Sequence, residues 1–225
     1  MKLKAEKITK EFIRESKGTN RFTAVSETDL ELSEGNVTVL SGRSGSGKTT
    51  ILNILSGLLQ PTSGKVLLDG EDIYSLPDKK LSRLRNQSFG VIPQGQTAIH
   101  SLTVRENILL PLMLYGDDLS EASVYADELM EKLGISQLRN VRPAELSGGE
   151  IRRMAIARAV IRRPAFLFAD EPTGDLDDEN TKTVFEFLRQ TAADGASVLI
   201  ISHEDIASEY ADRHLTMSSG VLREL

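Results

Sequence analysis

Gly42-Arg43-Ser44-Gly45-Ser46-Gly47-Lys48-Thr49 is the stretch on which the fold turns. It fits G-x-x-x-x-G-K-[ST] and stands between two segments of different periodicity. Before it, residues 37–40 form a short, nearly continuous apolar run with the character of a buried strand. After it, Ile51, Ile54, Leu55 and Leu58 recur at i, i+3, i+4 and i+7, the stripe of an amphipathic helix. A strand that turns tightly into a helix gathers backbone N–H groups at the positive end of the helix dipole. The glycines let the backbone curl with those N–H groups inward, so the loop attracts phosphate. On this reading Lys48 reaches the β and γ phosphates of a nucleotide, Thr49 offers its hydroxyl to Mg²⁺, and Thr50 reaches a nearer phosphate oxygen. The bland alternative, a flexible Ser-Gly turn followed by a lysine, leaves the strand-before and helix-after context without a reason.

Working outward, residues 88–92, 166–169 and 198–201 are further short apolar runs that read as buried strands. Helical patterns alternate with them. One, over residues 180–193, carries Val184, Phe187, Leu188 and Thr191, with Gly195 as its stop. Strands alternating with helices predict an α/β fold with a mainly parallel sheet and functional groups at the carboxyl ends of the strands. Residues 101–163 change to mostly helix, with segments ending near Leu114, spanning about Glu121 to Leu133, and starting at Ser147. They read as a helical insertion between the two parts of the core, 35–100 and 164–225, while residues 1–34 read as a small, mainly antiparallel sheet. The whole of 1–225 is thus one domain.

Composition narrows the classes. Apolar residues make up 40% and charged residues 27%, so the chain can bury a core and wholesale disorder is excluded. With 27 basic against 33 acidic residues the net charge is −6, which lacks the positive field of a general nucleic-acid binder. No cysteine is present, so disulfides and thiolate metal sites are excluded. The first residues show no apolar leader. The longest apolar stretch, residues 108–115, is interrupted by Pro111 and falls far short of the roughly 20 residues of a membrane span. A soluble chain is expected, whose membrane role, if it has one, needs a partner.

A phosphate loop that holds Mg²⁺ needs a carboxylate at the end of a later strand. Asp170 and Glu171, after Phe166-Leu-Phe-Ala, supply two. Asp170 suits the Mg²⁺ shell, and Glu171, one residue on, suits the polarisation of an attacking water. The alternative is a pair of solvated carboxylates at a strand end. Loop and carboxylates together describe a P-loop NTPase.

Leu146-Ser147-Gly148-Gly149-Glu150 opens a helical run, and with the phosphate loop it resembles the signature motif of the ATP-binding cassette family. Other elements fall in that family's order across nearly the whole chain. Gln94 matches its Q-loop, Asp177 in Gly174-Asp-Leu-Asp its D-loop, and His203 in Ile-Ile-Ser-His its switch histidine. Phe12 lies where the family places an adenine-stacking aromatic. Each has a plain reading too. Ser147-x-x-Glu150 is an ordinary capping box, Phe12 could be core, Gln94 a surface amide. His100 and His214 have no companion motif and read as structural or surface residues.

The resemblance implies ATP and Mg²⁺ as ligands and a mechanism that one copy cannot complete. Two copies face each other head to tail, and ATP lies between the phosphate loop of one and Ser147, Gly148 and Gly149 of the other. Glu171 then acts as general base, His203 holds the γ phosphate and water in line, Gln94 senses Mg²⁺ and water, and Asp177 meets the opposing loop. Glu150 stands where the family usually has glutamine, which predicts a weaker nucleotide-bound pair. Within the family, Leu52-Asn-Ile-Leu-Ser-Gly, Pro61-Thr-Ser-Gly, Leu102-Thr-Val-Arg-Glu-Asn and Ala169-Asp-Glu-Pro-Thr-Gly-Asp-Leu-Asp resemble the lipoprotein-release and macrolide-export group. That implies a separate membrane permease docked between Gln94 and the helical insertion, on the cytoplasmic side of the membrane. Residues 108–114 are either a wall of that cleft or core of the insertion. A cell-division-type regulatory cassette and a soluble cassette acting on DNA or ribosomes are the competing classes. The latter lacks support in the acidic balance and in the absence of long coiled-coil patterns.

Overall fold

The computed structural model describes residues 1–15, 19–95, 97–174 and 176–225. The chain opens with two long antiparallel strands, β1 (Leu3–Glu15) and β2 (Thr19–Leu32). It then enters the core through β3 (Val37–Ser41) and α1 (Lys48–Leu55). Next come β4 (Ser63–Leu68), β5 (Glu71–Asp72), α2 (Asp78–Ser88) and β6 (Phe89–Ile92). The helical part holds α3 (Val104–Met113), α4 (Ser120–Lys132) and α5 (Gly148–Val160). The core resumes with β7 (Phe166–Asp170), α6 (Asp178–Ala193) and β8 (Ser197–Ile201), and closes with β9 (Arg213–Ser218) and β10 (Val221–Glu224).

These strands make two sheets. One is antiparallel, in the order β2-β1-β4-β5; the other runs β10-β9-β3-β8-β7-β6, parallel except for β10. The period of two in each central strand sends alternate side chains to two separate cores. From β7, Leu167 and Ala169 enter the core shared with α3, α4, α5 and α6, whereas Phe166 and Phe168 enter the core shared with α1 and the antiparallel sheet. Phe89 packs edge-on against both phenylalanines of the second set, with centroids 5.8 and 5.6 Å away. Each such side chain contributes about 1.5–3 kcal/mol by leaving water, which anchors β7, buried at every position, and makes its carboxyl end a fixed platform.

Several expectations need correction. Leu58 does not continue the stripe of α1. The helix stops at Leu55, Gly57 turns the chain at φ +74, and Leu58 is exposed. The antiparallel sheet is larger than residues 1–34, because β4 pairs onto β1 and β5 onto β4 from inside the stretch assigned to the core. Ser88 closes α2 rather than opening a strand. In residues 180–193, Phe187 and Thr191 are only partly buried, and Phe185 is the aromatic that the core encloses. No helix among the described residues is long and apolar enough to cross a membrane.

In the helical part, Thr103 and Glu106 form a capping box that starts α3. Fully buried Asn107 then ties the preceding loop down, accepting from the N–H of Ile99 at 2.8 Å and donating to the carbonyl of Thr103 at 2.9 Å. The run 108–114 divides. Ile108, Leu109 and Leu112 are core, whereas Met113 and Leu114 are exposed beside Tyr115.

Candidate functional site

The phosphate loop crosses from β3 to α1 under close steric control. Gly42 sits at φ +143, and a Cβ there would lie 2.3 Å from the carbonyl oxygen of Met217 on β9. Gly47 sits at φ +109, and its Cβ would lie 2.1 Å from the carbonyl oxygen of Ala24 on β2. The loop is therefore wedged between two strands in a conformation only glycine adopts cheaply. Lys48 Nζ donates to the carbonyls of Gly42 at 2.7 Å and Arg43 at 3.1 Å, bracing the loop across its mouth. No side chain caps the start of α1 and no acidic residue lies in its first turn. The helix end thus keeps its attraction for an anion, as a phosphate cradle requires.

Opposite the loop, Thr49 Oγ1 donates to Asp170 Oδ2 at 2.7 Å, joining α1 to the end of β7. Asp170 is buried, and this pushes its carboxyl up from the ordinary range; the bond from Thr49 opposes the shift and the charge of Glu171 adds to it. A carboxylate held against its desolvation beside a hydroxyl is a donor set that suits a hard divalent cation. Glu171 turns the chain at φ +49, outside the range that a β-strand uses, so its side chain departs from the direction of Asp170. Its Oε2 accepts from His203 Nδ1 at 2.9 Å, and that bond raises the imidazole's affinity for its proton. Thr173 Oγ1 donates to Glu204 Oε1 at 2.8 Å, a strap that holds the loops after β7 and β8 together.

These groups share one cavity of about 640 Å³. The structure brings there Gly42, Ser44, Gly45, Gly47, Lys48, Thr49 and Thr50 from the loop and helix, together with Gln94, Asp170, Glu171, His203 and Phe12. Of the loop residues, Arg43 is exposed and Ser46 buried, and neither lines the cavity. Ser147, Gly148, Gly149, Glu150 and Asp177 lie outside it. A larger groove, about 780 Å³, opens at the amino ends of β7 and β8 near Tyr125 and Phe187 and contains none of these groups.

Four lining residues were not anticipated: Phe22, Ala24, Arg152 and Gly174. Phe22 is the cross-strand partner of Phe12, which puts both rings on one face of the β1–β2 hairpin. Only the hairpin register reveals this pairing. Arg152 arrives from α5 and carries no motif. His100 is exposed and His214 sits within β9; neither reaches the cavity.

The signature residues start α5. Ser147 is its N-cap, and the capping box is complete. Glu150 Oε2 accepts from the N–H of Ser147 at 2.7 Å and from its hydroxyl at 2.8 Å, while the N–H of Glu150 donates to Ser147 Oγ at 3.3 Å. The bonds from Ser147 hold the Glu150 carboxyl below its ordinary value. Asp177 likewise caps α6, accepting from the N–H of Asn180 at 2.8 Å. Ser147 and Asp177 are both exposed.

Comparison with known proteins agrees with this geometry. The ABC transporter family matches residues 25–174. The lipoprotein-releasing system ATP-binding protein LolD of Shewanella oneidensis is 40% identical over 200 residues, covering 88% of this chain and 87% of its own. The LolD protein of Xanthomonas axonopodis pv. citri is 36% identical over 224 residues, covering 99% and 91%. The dimeric structure of MJ0796, a bacterial ABC transporter cassette, superposes with a TM-score of 0.90 at 29% identity, over 99% of this chain and 98% of that one. A post-hydrolysis dimer of MJ0796 bound to ADP and Pi matches with the same TM-score, 0.90, at 30% identity and the same coverage, 99% and 98%. By family match, relatives and fold alike, the chain belongs to the ABC transporter family, as one of its ATP-binding cassettes.

Proposed function

We propose that the chain is the ATP-hydrolysing subunit of a lipoprotein-release-type transport system, working as a pair of identical copies that drives a separate membrane permease from the cytoplasmic side. One observation carries the reading. The cavity collects the phosphate loop, Gln94, Asp170, Glu171 and His203 from the carboxyl ends of four adjacent parallel strands, yet Ser147 and Asp177 stand exposed outside it. The chain thus carries a half-site and, elsewhere on its surface, the elements that complete another. The dimeric state of the MJ0796 cassette supports the pairing, and the names of the LolD relatives support the transport class.

In the mechanism, the loop N–H groups and Lys48 bind the nucleotide phosphates, and Phe12 stacks on the base. Thr49, Asp170 and Gln94 would hold Mg²⁺, whose chemistry is to offset phosphate charge as the bond breaks. Glu171 accepts the proton of the attacking water as its oxygen bonds to Pγ, and the bond from Pγ to the bridging oxygen of ADP breaks. His203 orients water and γ phosphate. Ser147, Gly148 and Gly149 of the second copy donate to the same phosphate, so ATP binds the closed pair more tightly than the open one and closure becomes the mechanical step. We assign permease docking to the exposed Met113, Leu114 and Tyr115 at the end of α3. They lie beside α2, whose Asn86 Nδ2 donates to the Pro111 carbonyl at 2.9 Å.

The test is light scattering of Glu171→Gln with ATP and Mg²⁺, and pull-down of the wild type from membranes. A nucleotide-dependent dimer and a co-purified integral membrane protein are expected. A protein that stays monomeric at saturating ATP and brings down no membrane protein overturns the reading.

A further inference from the structure

Arg152 is buried on α5, 8% exposed, two residues beyond the signature. Its Nη1 donates to the carbonyl of Pro93 and its Nη2 to the carbonyl of Gln94, each at 2.6 Å. One planar guanidinium therefore grips two successive carbonyls, which fixes the peptide plane that leads into Gln94. Pro93 adds its own restriction on φ. Farther along α5, Arg158 Nη1 donates to the carbonyl of Thr97 at 2.8 Å. The same helix presses on β6, the strand that delivers Gln94: a Cβ at Gly90 would lie 2.4 Å from the carbonyl oxygen of Ala159. On its other side, Arg153 Nη1 donates to Asn180 Oδ1 at 2.7 Å, and Asn180 Nδ2 donates to Asp177 Oδ1 at 2.8 Å. So α5 holds the Gln94 loop at two points and touches the Asp177 turn, while its own first turn carries Ser147.

We infer that Arg152 is a positioning residue for the reaction: through the Pro93 and Gln94 carbonyls it makes the place of Gln94 in the nucleotide cavity follow the signature helix of the same copy. The inference rests on the proposed role of Gln94 in hydrolysis. Its physical content is that a shift of α5 on pairing is passed to Gln94 through a buried, two-point contact. A misplacement near 1 Å at a reacting group costs up to about a hundredfold in rate.

The experiment is a double-mutant cycle on the full chain, with Arg152→Ala, Gln94→Ala and the double variant, read as kcat, as ATP affinity, and as amide exchange at Gln94 and Gly95. Arg152→Ala should lose about 10- to 100-fold in kcat, bind ATP within about threefold of wild type, and exchange the Gln94 and Gly95 amides faster. In the Gln94→Ala background it should cost no further rate, because the group through which it acts is gone. Arg152→Lys, a single-point donor, should fall between wild type and alanine and keeps the chain folded if alanine does not. Multiplicative losses in the double variant, or unchanged amide exchange in either Arg152 variant, overturn the inference. A wild type without ATPase activity overturns the functional reading instead, and the exchange measurement then still decides whether Arg152 holds the Gln94 loop in place.

Discussion

Glu171 Oε2 and His203 Nδ1 are joined at 2.9 Å across the ends of β7 and β8. The acceptor is a carboxylate, so the proton of a neutral imidazole sits on Nδ1 and Nε2 is left facing elsewhere. Glu171 is 14% exposed on its side chain and His203 75%, so the histidine can swing while the carboxylate stays seated.

That asymmetry separates two variants. Glu171→Gln keeps the size of the side chain and removes the proposed base, so kcat should fall by about 10²–10⁴-fold with ATP binding retained. His203→Ala frees the carboxylate without changing it, and should cost less at saturating nucleotide. Single-turnover hydrolysis alongside equilibrium binding measures both. Full turnover by Glu171→Gln removes that residue from the base role.

The loop glycines divide by what surrounds them. At Gly47 an added methyl meets the Ala24 carbonyl at 2.1 Å, whereas at Gly45, φ +75, nothing lies within 4 Å. Gly45→Ala should carry only the positive-φ penalty, about 1 kcal/mol, and Gly47→Ala should add a clash with strand β2 that the backbone cannot yield to. Thermal melting of the two should place Gly47→Ala well below Gly45→Ala. Equal losses would mean that steric contact with β2 does not shape the loop.

What the sequence made legible was whatever depends on local chemistry. Residues 42–49 announce a phosphate cradle because glycine, lysine and threonine act there through backbone freedom, charge and a hydroxyl, and the strand ends bearing Asp170 and His203 follow from apolar runs buried on both faces. What stayed hidden depends on register and distance. Phe22 joins Phe12 only because the hairpin pairs them, and β4 pairs with β1 across more than fifty residues of chain. Helix α2 is almost wholly polar, with Leu81 its one buried residue, so it has no stripe to read. Arg152 resembles any surface arginine until the fold closes over it.

Phe12 and Phe22 are 39% and 41% exposed at the end of the cavity, farther along the hairpin than Ala24. Two rings on one face offer a stacking platform, and stacking on a base is worth about 1–3 kcal/mol. Phe12→Ala should weaken ATP binding by about 5- to 150-fold on that scale, and Phe22→Ala by less, since it flanks the expected base position. Equilibrium binding of a fluorescent ATP analogue tests the order. No change on Phe12→Ala would return that residue to a purely structural part.

Glu150 answers a different question, the strength of pairing. Its carboxylate is already engaged by the N–H and hydroxyl of Ser147, which glutamine can also engage through its amide oxygen. Glu150→Gln therefore keeps the cap and, in the proposed pair, deletes a negative charge next to the phosphates of the opposing copy's ATP. Charge repulsion at a solvated position is about 1 kcal/mol or less at each of the two composite sites, so the variant should pair up to about 30-fold more tightly with ATP, most clearly at low salt. Sedimentation with the Glu171→Gln background, at two ionic strengths, reads it. Unchanged or weaker pairing argues that the cap already neutralises the carboxylate.

Asp212 links charge to the start of the central strand. Its Oδ2 accepts from the N–H of Val37 at 2.8 Å and from Arg189, and the N–H of Asp212 donates back to the Val37 carbonyl at 2.9 Å. The bond from Val37 holds the carboxyl below its ordinary value, with the Arg189 contacts adding to this and desolvation opposing it. A depressed pKa means that the folded state prefers the ionised form. The stabilisation is therefore complete above the unfolded value, about 3.9, and is lost as pH falls through the lower folded value. Asp212→Asn retains an acceptor for Val37 but loses the charge facing Arg189, so it should melt below wild type at pH 7 and at pH 5 by the same margin. Below about pH 4 that margin should shrink, because protonation then makes wild type resemble the variant. Other carboxylates titrate in both proteins and cancel in the difference. A margin that holds constant down to acid unfolding, or widens, would assign the loss to geometry at Val37 and not to the charge of Asp212.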